Sequence, residues 1–218
     1  MSGDDGLTPF DFVRVGRAVN VRLIGGRGHY EAVVQAVMAA EQSIWIATAN
    51  LKELMVEAPA FSRRKRAYRS ILQVFDGLVG KGVEIRILHA SPPSRPFREE
   101  LRRWPRLRQA LVMRACPRVH VKAVVVDGGL CYLGSANWTG AGLGAKGEGR
   151  RNFELGILSR DDLLLDEIQA YYDGIWRGRP CGKCKLREEC PGPLDGTEAV
   201  SSQPSAVSKK ARSTATDG

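Results

Sequence analysis

His120-Val121-Lys122-Ala123-Val124-Val125-Val126-Asp127-Gly128-Gly129-Leu130-Cys131-Tyr132-Leu133-Gly134-Ser135-Ala136-Asn137 is the stretch on which the reading of this chain turns. An apolar run ends at Asp127-Gly128-Gly129, residues suited to a tight turn, and residues 130–133 resume the run, so the whole reads as an antiparallel hairpin. Along a strand over residues 120–126 alternate side chains share a face. His120 and Lys122 therefore stand side by side, with Val121, Ala123 and Val125 opposite. The return strand carries Ser135 and Asn137 back towards His120.

Outward from this hairpin, short Val/Ile-rich runs alternate with stretches of helical spacing, the pattern of an α/β domain. Further strands are expected at residues 19–24, 43–49, 83–88 and 153–158. Helices are expected at residues 30–40, 69–79 and 161–176, the last opening on Asp161-Asp162, where a helix dipole favours negative charge. Residues 91–105, rich in Pro and Arg, read as a long surface loop with one helical turn near Glu99 to Arg103. In the strand that starts near residue 153, Asn152 and Glu154 share a face opposite Phe153 and Leu155, which offers a carboxylate to orient a histidine. No internal repeat is visible.

Together these groups suit transfer at a phosphate. An imidazole can attack phosphorus, a lysine and an asparagine can hold its oxygens, and a carboxylate can fix the imidazole tautomer. His-x-Lys by itself is equally what a core strand with a capping histidine and a snorkelling lysine presents. The complete spacing favours the chemical reading.

Residues 120–127 followed by Gly134-Ser135-Ala136-Asn137 match, without a departure, the HxKx4Dx6GSxN signature of the phospholipase D superfamily, which the chain resembles from about Ala18 to Trp176. Lys81-Gly82-Val83-Glu84-Ile85-Arg86 and Asn152-x-Glu154 are similar to that family's pattern too. The resemblance implies an α/β fold, a phospholipase D-like mixed β-sheet flanked by helices on both faces. It also implies a metal-independent phosphodiesterase, with no cofactor for catalysis and a phosphohistidine intermediate. The catalytic set carried over is His120, Lys122, Asn137, Glu154 and Asp127. In it His120 is nucleophile and general acid in alternate protomers, Lys122, Ser135 and Asn137 bind phosphate, Glu154 orients His120, and Asp127 holds the turn. Members with two motifs use one histidine from each. This chain has one motif, since neither His29 nor His89 is followed by the rest of the pattern. A twofold homodimer is therefore expected, with two His120 side chains meeting across the interface as in the family's short bacterial endonucleases.

The substrate has to come from the surroundings of the motif. The chain carries 33 Lys+Arg against 24 Asp+Glu, and Arg63 to Arg108 holds 13 of the bases and 4 of the acids, so the whole excess of +9 lies there. Such a patch favours nucleic acid, with Tyr68, Phe97 and Trp104 as candidate stacking or core side chains. A solubilising face is the plain alternative. A phospholipid substrate would call for an apolar lip or an amphipathic membrane helix, and neither is evident. A nucleic-acid-binding module with little catalysis is the remaining reading.

Five cysteines occur, an odd number that argues against a disulfide scaffold. Cys131 lies in an apolar strand. Cys181, Cys184 and Cys190 follow the last helix in a Gly/Pro/Lys-rich segment and read as a metal knuckle, for zinc or an iron-sulfur cluster. Their spacing is similar to the last three cluster cysteines of RecB-type nucleases. Cys116 is the first choice for a fourth ligand and His29 the second. Three free thiols are the alternative.

The domain reading is an N-terminal extension (1–17), the catalytic domain (18–178), a cysteine-rich segment (179–194) and a disordered tail (195–218). At 43% hydrophobic residues the chain can bury a core. No apolar run approaches the ~20 residues that cross a bilayer. The acidic, polar start lacks the basic-then-apolar form of a leader, and a cytoplasmic protein is expected.

Overall fold

In the computed structural model, which describes residues 10–58, 67–190 and 192–196, the chain opens with β1 (Arg22–Gly25). A π-helical turn (Tyr30–Val34) then continues as α1 (Gln35–Met38) and leads into β2 (Ser43–Thr48). Next come β3 (Met55–Glu57), β4 (Tyr68–Ser70), α2 (Ile71–Val79), β5 (Glu84–His89), α3 (Arg95–Leu101), α4 (Pro105–Ala110) and β6 (Val112–Ala115). The chain closes with β7 (Ala123–Val126), β8 (Leu130–Gly134), β9 (Leu155–Ser159), α5 (Asp162–Trp176) and 3-10 turns at Cys181–Lys183 and Leu194–Gly196.

Seven strands form one mixed sheet in the order β1-β9-β8-β7-β2-β5-β6, while β3 and β4 pair separately. β2 and β5 run parallel, as do β5 and β6, and β2, β7, β8, β9 and β1 pair antiparallel in succession. A strand covered on both faces needs apolar residues at every position, and β2 supplies them. Ile44 and Ile46 join one core with Val33, Val37, Leu72 and Phe75 from the helices. Ala47 and Trp45 face the other way, towards Tyr172, Ile175 and Trp176 of α5. There the Trp45 and Tyr172 rings stack at 5.3 Å, and Tyr172 and Trp176 at 5.7 Å. Helices thus cover both faces, as expected. Residues 10–17 run along the outside of α5, where Arg17 pairs with Asp161 and Arg14 with Glu167.

The α5 start is capped as the sequence suggests: Asp161 accepts from the Leu164 N–H at 2.9 Å. The expected loop over residues 91–105 is largely helix instead. Ser94 caps α3, Pro96 sits in its first turn and Pro105 opens α4, the one place where a helix tolerates proline without losing a hydrogen bond. Phe97 is fully buried between them, which contributes roughly 1.5–3 kcal/mol and holds helices too short to stand alone. β6 was not anticipated: its four residues, one of them Arg114, are half-buried at the sheet edge and show no clear alternation. The helix expected at residues 69–79 gives up its first two residues to β4. The ladder of β7 begins at Ala123, so His120 and Lys122 lie on its lead-in and not within it. Arg63 to Arg66 and the tail beyond residue 196 lie outside the described residues.

Candidate active site

The hairpin closes as read, with Val126 opposite Leu130 and Ala123 opposite Leu133, and Gly134 N–H donates to the Lys122 carbonyl at 3.1 Å. Asp127 adopts φ 51° in the turn. His120, Lys122, Ser135, Asn137 and Glu154 come to the same end of the sheet, around the start of β7, the end of β8 and the start of β9. There Lys122 Nζ lies 3.1 Å from each ring nitrogen of His120 and donates to its carbonyl at 2.7 Å. His120 is exposed while Lys122 is buried. Burial pulls the Lys122 ammonium below the ordinary lysine value, and the nearby Glu154 carboxylate only partly opposes this.

Asn137 is held by its carbonyl. Its Oδ1 accepts from Asn50 N at 3.0 Å, Ala49 N at 3.1 Å and Thr48 Oγ1 at 3.2 Å, all at the end of β2. The amide N–H groups are thereby left as the donating end. Thr48 also accepts from Trp138 N at 2.9 Å. The Glu154 carboxylate is fixed at both oxygens, by Ser135 Oγ at 2.5 Å and Asn152 Nδ2 at 3.1 Å, and Ser135 Oγ accepts from Leu155 N at 3.1 Å. Glu154 makes no hydrogen bond to His120 of its own chain among the described residues. Its observed role is to anchor the Ser135 loop.

The glycine of the motif has a steric reason. Gly134 lies opposite Gly156, and a Cβ at either would collide with Tyr132, whose ring lies across this bare patch of sheet. The Tyr132 hydroxyl accepts from Ala136 N at 3.2 Å, which fixes the loop between Ser135 and Asn137. Burial pushes the Tyr132 phenol up to about 12. Thr48, Asn50, Asn152 and Tyr132 were missed in the sequence because each acts on a motif residue from a distant strand or from outside the motif's fixed positions.

Asp127 lies at the opposite end of β7, away from the other motif side chains. Its carboxylate accepts from the N–H groups of Glu41, Gln42 and Ser43 at 2.7–3.2 Å. Burial opposes its charge, but these donors win and hold its value below the usual carboxylate range. As a member of the catalytic set it is corrected to a structural residue. The other two histidines are fully buried or nearly so. His29 packs edge-on to Tyr132 and His89 bonds Ser91, and burial lowers both. His29, far from the C-terminal cysteines in the sheet's other core, is excluded as their partner. Cys116 instead lines one small pocket with Cys181, Cys184 and Cys190.

Of the basic segment's acids, Asp76, Glu84, Glu99 and Glu100 pair with Arg106, Arg86, Arg95 and Arg103. Arg98, Arg102 and Arg108 are exposed and form no ion pair with a described residue. Of the aromatics, Phe97 is core, Trp104 donates to Glu100 at 2.9 Å, and Tyr68 is exposed. Among the described residues no helix is long and apolar enough to cross a membrane.

A family profile described as "Cardiolipin synthase, PLD-like domain" matches residues 33–176. Among solved structures the chain is similar to a phospholipase D family member, Nuc from Salmonella typhimurium, with 16% identity, a TM-score of 0.51, and coverage of 72% of this chain and 95% of that one. It is also similar to NucT from Helicobacter pylori (15% identity, TM-score 0.48, 72% and 94% covered). A third is phosphatidylserine synthase from Haemophilus influenzae Rd KW20 (14%, 0.48, 75% and 40%). No curated protein matches the chain.

Proposed function

The chain belongs to the phospholipase D-like family, and from that premise we propose that it is a phosphodiesterase that forms a phosphohistidine at His120 and cleaves nucleic acid. The observation that carries this reading is the convergence at one sheet end of an exposed imidazole, a buried ammonium 3.1 Å from it, and an amide whose donating end is left open. Lys122 and Asn137 hold the non-bridging oxygens while a His120 ring nitrogen attacks phosphorus, and water later releases the phosphate from the histidine.

The leaving oxygen needs a proton, and the remaining histidines of the chain are buried and unsuited to supply it. A second copy supplies it from its own His120. Next to Glu154, Phe153 is fully exposed and Leu155 is 59% exposed, and on the adjoining strand Leu23 is 68% exposed. This apolar rim at β9 and β1 is the surface that the second copy would cover. Nucleic acid is preferred over lipid because Arg98, Arg102 and Arg108 present unneutralised charge on α3, α4 and the turn between them, and the chain enters α3 from the sheet end that holds His120.

The test is cleavage of single-stranded DNA, duplex DNA, RNA, phosphatidylcholine and a small aryl diester side by side. His120→Ala should be inactive on every one. Wild type should cleave a nucleic acid and the small diester without added divalent metal. Phosphatidylcholine as the sole substrate would replace nucleic acid with lipid, and an absolute need for added Mg2+ would overturn the mechanism.

A further inference from the structure

The segment from 178 to 196 has almost no core. Among its described residues only Gly178 and Leu194 are buried, and its structure is two 3-10 turns and a run of tight backbone turns at Cys181, Cys184 and Arg187. The chain nevertheless folds back on itself. A Cβ at Gly178 would strike the Asp195 backbone, and Arg187 pairs with Asp195. Such a piece ordinarily needs a disulfide or a metal to keep a fold. All the cysteines are free thiols.

Four of them converge. Cys116, at the end of β6, lines a pocket of about 20 Å³ with Cys181, Cys184 and Cys190, and all four are half-buried. Two independent backbone turns aim an N–H at a sulfur from two residues further on: Arg118 N–H towards Cys116, and Leu186 N–H towards Cys184. That N–H, together with the Arg118 side chain, holds Cys184 below the ordinary thiol value, while burial pushes Cys116 up. Arg118 and Arg187 flank the pocket and would offset the negative charge of several thiolates gathered there. Cys131 is buried in a different core, against α5.

We propose that Cys116, Cys181, Cys184 and Cys190 bind one Zn2+ ion, which fastens the C-terminal segment to the loop leading into His120. Four sulfur donors around a space of single-ion size suit tetrahedral zinc better than an iron-sulfur cubane. Among the described residues no three ligating side chains already stand at coordination spacing, so the thiols must turn inward about χ1 and release their protons to solvent as the ion binds. Cys116 is joined to His120 through Pro117, Arg118 and Val119, with Val119 buried and its N–H donating to Cys116 O at 2.9 Å. The ion would thus brace the approach to the nucleophile from the side facing away from the substrate arginines' loop ends.

The test is elemental analysis of the full chain together with cobalt substitution. About one zinc per chain is expected, as is an intense thiolate-to-Co2+ absorption after exchange, with Cys116→Ser and Cys184→Ser each weakening both and Cys131→Ala changing neither. Should the serine variants fail to fold, mercurial titration of wild type serves in their place, with about four thiols consumed for each zinc released. Absence of zinc and of the cobalt band, iron with acid-labile sulfide in its place, or full zinc and an unaltered band in a folded Cys116→Ser would each overturn the proposal. His120→Ala should keep its zinc, so the metal site and the diesterase reading fail separately.

Discussion

The two ends of β7 carry the two halves of one sequence motif and are built in opposite ways. At the Asp127 end every lone-pair direction that matters is taken up by backbone N–H groups of residues 41–43, so the carboxylate ties the hairpin to the start of β2. At the other end His120 is exposed and Lys122 is buried against it without a carboxylate bonded to either. A saturated group holds a fold, and an unsaturated one is available to a substrate. Spacing in the sequence could not separate these roles, since both residues belong to the same signature.

The sharpest way to break the comparison is a pair of substitutions. His120→Ala should lower diester hydrolysis by at least ~10³-fold, within the range removed with an acid-base group, while thermal unfolding stays where it is. Asp127→Ala should do the reverse. Loss of several hydrogen bonds to a charged acceptor should cost about 2–4 kcal/mol in denaturant unfolding, with turnover per folded molecule little changed. If Asp127→Ala abolishes turnover in a folded protein, Asp127 returns to the catalytic set. A smaller effect is expected at Asn137→Ala, about 10²-fold in kcat from the loss of one donor to the phosphate oxygens.

The smallest effects are in pH. The Asp127 carboxyl is depressed in the fold, so its contribution is fully present above the unfolded value of about 3.9 and is lost as the pH falls below that towards the folded value. Asp127→Asn should therefore flatten the acid limb of stability against pH. Lys122 is depressed as well, so a phosphate-binding ammonium should be lost at a pH below the ordinary lysine value of about 10.4. The alkaline limb of the rate profile should move upward in Lys122→Arg, and an unmoved limb would detach Lys122 from it.

The hairpin, the sheet with helices on both faces and the meeting of five motif side chains were legible because each rests on local rules: strand alternation, a Gly-rich turn and a fixed spacing. What was not legible depends on distant partners. Nothing near Asn137 tells that its carbonyl will be taken by Thr48, Ala49 and Asn50, or that Tyr132 will need two glycines beneath it. The Pro/Arg stretch misled for a different reason. Pro96 and Pro105 were read as breakers when they stand in first turns, a position that Ser94 as a cap already signalled. The pairing of Cys116 with a segment some seventy positions later in the chain was anticipated from residue type alone, and the sheet order explains it, since β6 ends where α5 hands over to the cysteines.

The central claim is that one diester-cleaving centre is made from two His120 side chains, one from each of two copies. Mixing wild-type and His120→Ala chains under conditions of subunit exchange, at constant total protein, tests it directly. Activity should follow the square of the wild-type fraction, because only dimers with both histidines turn over. Activity that falls in proportion to the wild-type fraction would mean that each chain works alone and would contradict the shared site.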